Sequence, residues 1–142
     1  IRNAIEQNGD VVFAAQLIGR SYSFEGIVIH GDERGRTIGF PTANIRPDNS
    51  DKLIPKEGIY AVRVSVMGDS YQGMMNIGHR PTFDGKQQSI EVNIFDFEKS
   101  IYGQNLRIEP IQRIRDEKKF TNNISSCIRS SNYCILCSRL GC

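Results

Sequence analysis

Before position 127 the chain has no cysteine. A disulfide framework staples a small fold along its whole length, so this fold is held by other means, and its body reads as that of a protein from the reducing cytoplasm. No apolar run approaches the eighteen or more residues of a membrane-spanning helix. The net charge is only +2, from 18 basic and 16 acidic residues, too small to attract nucleic acid or an acidic membrane surface. The first residues are mixed and polar and do not read as a signal peptide. No internal repeat is visible. The chain also has neither the G-x-x-x-x-G-K-[ST] loop nor the signature set of protein kinases, so any phosphate chemistry must use another device. The last segment lacks something else: residues 121–142 contain no Asp, Glu or Lys, yet hold all four cysteines and five serines.

What is present suits one globular domain. With 142 residues, 39% hydrophobic and 24% charged, the chain can bury a real core. Its start at Ile1 rather than Met leads to the expectation of a fragment. Residues 1–19 read as helical, interrupted at Gly9-Asp10. Asp10 can cap a second helix whose Val11, Ala14, Ala15 and Ile18 share a face, with Gly19 as its stop. From Tyr22 the hydrophobic period changes to two. Phe24–His30 reads as a strand, Pro47–Asp51 as a loop, and Gly58–Val66 as the clearest strand. Met67-Gly68-Asp69 is a hairpin connection, and Ser70–Ile77 is the returning strand. Gly78 and Pro81 punctuate residues 76–83 as a turn. Ser89–Phe97 is a strand with Ile90, Val92, Ile94 and Asp96 on one face and Glu91, Asn93, Phe95 and Phe97 on the other. Residues 102–105 turn, and Leu106–Ile114 is the last strand. Five or six short antiparallel strands favour closure, which removes exposed edges. The expected fold is mainly β: a small closed antiparallel Greek-key barrel with an N-terminal helical segment.

One stretch stands out, Gly35-Arg36-Thr37-Ile38-Gly39-Phe40-Pro41-Thr42-Ala43-Asn44. Gly31, Gly35 and Gly39 let a backbone come close to something bulky and charged. Pro41 then stiffens the chain and biases Phe40 toward extended geometry. If residues 42–44 are extended, Thr42 and Asn44 project from the same face. Two neutral oxygens side by side suit a hard cation that takes its negative ligands from phosphate, as Mg²⁺ usually does. The same residues also suit a Gly-rich hairpin loop entering an edge strand. Glu91, a carboxylate between apolar neighbours, is open to two readings as well: a solvated surface residue or a chemically active one. His30, alone at a strand end, reads as structural.

The run G-R-x-x-G-F-P-T-A-N at 35–44 resembles the signature of riboflavin kinases. In bacteria these are usually the C-terminal half of a bifunctional riboflavin kinase/FAD synthetase. Three further segments are similar to that family, in order: N-I-G-x-R-P-T-F at 76–83, I-E-V-x-I-F-D-F at 90–97, and R-x-E-x-x-F at 115–120. Residues 1–20 resemble the connector that follows the adenylyltransferase half, and residues 21–120 the kinase barrel. The resemblance implies ATP-dependent phosphorylation of riboflavin to FMN, with ADP as the other product and a riboflavin kinase-like six-stranded barrel. It implies that Gly31, Gly35, Arg36, Gly39 and Pro41 line the nucleotide, and that Thr42 and Asn44 hold Mg²⁺ against its phosphates. Glu91 becomes the catalytic base, and Arg115 and Phe120 lie by the flavin. The implied partners are ATP, riboflavin and a linked FMN adenylyltransferase domain, whose own activity is not expected from this stretch.

From Thr121 the resemblance ends. Relatives continue with a charged, Leu-rich amphipathic helix, whereas this tail has the composition of out-of-frame or foreign sequence. Cys134-x-x-Cys137, with Cys127 and Cys142, raises a zinc site as a rival, but structural zinc sites usually show two tight pairs and here there is one. The expectation is an irregular segment that leaves the flavin pocket short of a wall. Two other functions compete: a flavin- or nucleotide-binding barrel impaired by this C-terminus, and a nucleic-acid-binding barrel. The last would want a basic face interleaved with aromatics, which the strands do not offer.

Overall fold

The computed structural model describes residues 1–30 and 42–116. A short π-helical turn, Ala4–Asn8, ends at Gly9 in the left-handed conformation. Helix α1 follows over Val11–Ile18; the Asp10 carboxylate accepts the Phe13 amide at 2.9 Å, and Gly19 closes the helix at φ 79°. Such an N-cap contributes about 1 kcal/mol, because it satisfies a donor the helix itself cannot. Val11 and Ala14 are buried against the barrel, while Val12, Phe13 and Leu17 face outward.

Six antiparallel strands come next: β1 Phe24–Ile29, β2 Thr42–Pro47, β3 Gly58–Val66, β4 Asp69–Thr82, β5 Gly85–Ile94 and β6 Asn105–Arg115. They close into a barrel in the order β1-β2-β5-β4-β3-β6. Strands β3, β4 and β5 are successive hairpin partners, and β6 returns to lie beside β3, which makes the Greek key. The alternation of side chains sorts the residues. Val28, Ala43, Ile45, Tyr60, Val62, Val64, Met75, Ile77, Ile90, Val92, Leu106 and Ile108 point inward and form one buried core. The β3–β4 connection has two residues, Met67 and Gly68, both at positive φ (53° and 87°), the twist that a tight hairpin between right-twisted strands requires.

Two expectations give way. Residues 76–83 do not form a turn. β4 runs unbroken to Thr82, and its pairing with β5 continues through Gly78↔Ser89 and Pro81↔Lys86 to Thr82↔Gly85. A long cross-strand ladder outweighs the local punctuation of Gly78 and Pro81, and the reversal occurs at Phe83-Asp84, so β5 starts at Gly85 rather than Ser89. Second, the alternation of β5 stops at Ile94. Asp96 adopts φ 54°, which turns Phe97 off the Glu91 face and into the core. There its ring meets Tyr71 edge-on, centroids 5.0 Å apart.

Candidate active site

Several residues singled out in the sequence lie on the outer surface of the barrel. Because directly paired residues of antiparallel strands project from the same face, the register alone draws a row across it. Ile29 pairs with Asn44, Asn44 with Glu91, Glu91 with Asn76, Asn76 with Ile59, and Ile59 with Arg115. Three residues singled out in the sequence, Asn44, Glu91 and Arg115, thus sit in one line although they come from β2, β5 and β6. The neighbouring row holds Thr42, paired with Asn93, and Asn93 in turn with Met74. Thr42 and Asn44 lie on the same outer face, as expected.

Glu91 is half-buried at the centre of this row, with its side chain 22% exposed, and Arg80 forms an ion pair with its Oε1. Sequence reasoning left Arg80 open, as a surface charge or a ligand. The signal was present only as the offset between Gly78-His79-Arg80 and Glu91 on the two arms of one hairpin, which becomes meaningful once the register is known. Asn76, on the other side of Glu91 from Asn44, has a buried Oδ1 with no hydrogen-bond partner among the described residues. A buried acceptor left empty costs about 1–3 kcal/mol, so it is suited to take a donor from a ligand.

A cavity of about 240 Å³ opens beside Thr42, at the barrel end from which β1 leaves and β2 enters. Val28, Ala43, Val92, Ile94, Phe97 and Ile101 give it apolar walls, with Tyr102 at its edge. The Tyr102 ring stacks on His30 at 4.2 Å. That contact gives His30 a packing role. The cavity borders Thr42, in the row next to that of Asn44 and Glu91.

Further along β6, Arg113 ties the strand's end to the residue that precedes β3. Its Nη2 donates to the Glu57 carbonyl at 2.6 Å and to Asp116 Oδ1 at 2.5 Å. Burial opposes the Arg113 charge, but the bonds to Asp116 and Tyr60 outweigh it and raise its pKa. In return, the Arg113 guanidinium holds the Asp116 carboxyl below its ordinary value. Burial raises the Tyr60 phenol, whose hydroxyl donates to the Lys56 carbonyl at 2.5 Å.

A metal would find oxygen donors here. Among the described residues no cluster of three His, Cys, Asp or Glu could cage one. Thr42 and Asn44 instead offer a hydroxyl and an amide oxygen on one face, with the Glu91 carboxylate directly across the strand pair from Asn44. That set fits a hard cation whose remaining ligands are water and phosphate. Gly31, Gly35, Arg36, Gly39, Pro41 and Phe120, and the expectations for residues 121–142, lie outside the described residues.

Comparisons with known proteins show the family. The family model for riboflavin kinase (flavokinase) matches residues 18–127, reaching past Phe120 into the segment that composition sets apart. The bifunctional riboflavin kinase/FMN adenylyltransferase of Bacillus subtilis (strain 168) is 54% identical over 123 residues, 84% of this chain and 38% of that protein. The same-named protein of Listeria monocytogenes is 53% identical over 121 residues, again covering 38% of its length. This chain therefore spans well under half of those relatives. A crystal structure described as a macrolide-efflux protein from Streptococcus pneumoniae superposes with a TM-score of 0.84 and 37% identity, over 97% of this chain and 44% of that one. Among the described residues, no helix here is long and apolar enough to cross a membrane. The ordered motifs, the closed Greek-key barrel and a family match over most of the chain agree: the chain belongs to the riboflavin kinase family.

Proposed function

We infer that this chain transfers the γ-phosphate of ATP to the terminal hydroxyl of the ribityl chain of riboflavin, giving FMN and ADP. The observation that carries the reading is the outer-face row, which sets a half-buried carboxylate between two amides, with Thr42 and the apolar cavity beyond Asn44 and Arg115 at the far end.

In this reading the adenine enters the apolar cavity and its phosphates extend past Thr42 toward Asn44. Riboflavin approaches from the Arg115 side. The two substrates meet at Glu91, so the donor phosphate and the acceptor hydroxyl converge on one carboxylate. Glu91 takes the proton as the hydroxyl oxygen bonds to phosphorus and the bridging oxygen leaves with ADP. Asn76 Oδ1 is an acceptor within reach of a polyol hydroxyl and helps to hold that chain. Phosphoryl transfer needs mainly positioning and charge stabilisation, and a rigid barrel surface supplies the first. Thr42 and Asn44 would hold Mg²⁺, which supplies charge neutralisation at the phosphates. Residues 1–20 serve as the connector from an FMN adenylyltransferase half, and residues 21–120 as the kinase unit; FMN made here is the chemical substrate of such a half. The reading puts the protein in the cytoplasm, where ATP is available.

The test is FMN formation from riboflavin, ATP and Mg²⁺ by this chain and by Glu91→Gln. The variant keeps size and hydrogen bonding but cannot accept the proton. General-base catalysis is typically worth about 10²–10⁴-fold, so kcat should fall by that order with flavin and nucleotide binding retained. A barrel that binds both ligands yet makes no FMN would support the impaired-binding alternative. Lost binding with kcat preserved would make Glu91 a substrate-positioning residue.

A further inference from the structure

Arg80 and Glu91 belong to the two arms of the β4–β5 hairpin but are not directly opposed. Arg80 pairs in register with Gln87, and Glu91 with Asn76; between these two pairs lies Gly78↔Ser89. All of these positions share the outer face. To reach Glu91, the Arg80 side chain runs back along the hairpin, past the Gly78↔Ser89 pair. A glycine there has no side chain to block it. The stem can lie flat on the strand, and the guanidinium ends beside the carboxylate. The ion pair uses Oε1, which leaves Oε2 for another partner. Arg80 is 44% exposed at the side chain and Glu91 22%, so the carboxylate is the more desolvated of the two. Left alone, a Glu side chain at a strand surface samples several rotamers. A guanidinium on one oxygen restricts it to the orientations that keep that bond, since the planar donor fork is directional.

We propose that Arg80 is a positioning residue for the phosphoryl-transfer step: it holds Glu91 by Oε1 so that Oε2 faces the acceptor hydroxyl. This rests on the reading of Glu91 as the base. Its consequence is specific. Loss of Arg80 should lower the rate of the chemical step with little effect on the affinity for either substrate, and only while Glu91 is there to be positioned. Displacing a reacting group by an ångström can cost about a hundredfold in rate, so a fall in kcat of about 10- to 100-fold is expected. Lysine in place of Arg80 restores the charge but not the fork, and should recover only part of the loss.

The experiment is a double-mutant cycle on kcat for FMN formation with Arg80→Met, Glu91→Gln and the pair, with KM for riboflavin and ATP measured in each and thermal melts as a folding control. Arg80→Met alone should lose about 10- to 100-fold in kcat, with both KM values within about twofold. In the Glu91→Gln background the same change should alter kcat by less than about twofold, because two residues that act as one unit are non-additive. Guanidinium ion added at non-denaturing concentration should restore part of the kcat of Arg80→Met and none of that of the pair. An equal loss in both backgrounds would make Arg80 a structural residue and overturn the proposal. So would a rise in riboflavin KM with kcat preserved. Unimpaired turnover by Glu91→Gln would instead overturn the base assignment and the proposal with it, so the two failures give different readouts.

Discussion

Adding one methyl group at Gly73 should disturb the barrel where β4 crosses closest to β5. Gly73 points inward, and a Cβ built there lies 2.4 Å from the Asn93 carbonyl oxygen and 3.3 Å from its carbon. Real Cβ atoms essentially never come closer than 3.0 Å to another atom. The obstacle is backbone in the middle of a paired strand and cannot swing aside like a side chain. Gly73→Ala must therefore push β5 away by more than half an ångström or distort β4. Overpacking of this kind costs about 1–3 kcal/mol, which for a domain of this size lowers Tm by about 3–10 °C. The displacement also reaches the site, because Asn93 pairs with Thr42 and is two residues from Glu91. Circular dichroism melts read the stability, and FMN formation below the transition reads the site. A variant that melts within about 1 °C of the parent would refute the argument, since it would show slack between strands that the geometry denies.

Three other substitutions probe the phosphate end and the distant pole. Thr42→Val keeps the shape and removes the hydroxyl; FMN formation should drop sharply and recover in part as Mg²⁺ is raised, with the melt unchanged, and Asn44→Leu should behave the same way. Unchanged kinetics would remove both residues from the metal's ligand set. Tyr22, whose hydroxyl donates to the Leu53 carbonyl at 2.5 Å, is pushed up to about 12, first by burial and then by the charge of Glu6. The folded state thus holds the phenol's proton more tightly than the unfolded chain, whose tyrosines titrate near 10. The stabilisation is complete below about pH 10 and is lost as pH rises toward 12. Tyr22→Phe should therefore flatten the decline in denaturant stability between about pH 10 and about pH 12; an unchanged decline would assign it to other groups.

Much of the fold was legible because local patterns were strong. β3 follows its period of two from Gly58 to Val66, and Met67-Gly68 supplies the only two residues that a tight turn needs. The shared face of Thr42 and Asn44 followed from alternation alone once Pro41 suggested an extended chain. The site was harder to read, because its unity lies in pairing between distant strands. Nothing local says that Asn44 stands opposite Glu91, or that Arg80 can lie across Gly78 to reach it. The family resemblance named Glu91 and Arg115; the register supplied Asn76 and Arg80 as its neighbours. The misread turn at 76–83 has the same origin: Gly78 and Pro81 are turn-formers by local preference, and β5 overrides them by offering a partner along the whole arm. Phe97 went astray because one left-handed residue, Asp96, resets the alternation, and periodicity cannot register that.

The order of the strands also sets when the site comes into being. Asn76, Arg80 and Glu91 lie on a single hairpin, whose contacts are short in sequence and can form early. Asn44 joins Glu91 only when β2 docks on β5, and Arg115 arrives only when β6 completes its long return to β3. The last seam, β1 against β6, pairs Phe24 with Ile108 from nearly opposite ends of the barrel sequence. Such pairings carry the largest loop-closure entropy and form slowly. A partly folded chain therefore owns the carboxylate but neither of the ends that would bring substrates to it. Under the proposed function, phosphate transfer would wait for ring closure, and a nascent chain would have no half-made site with which to consume ATP.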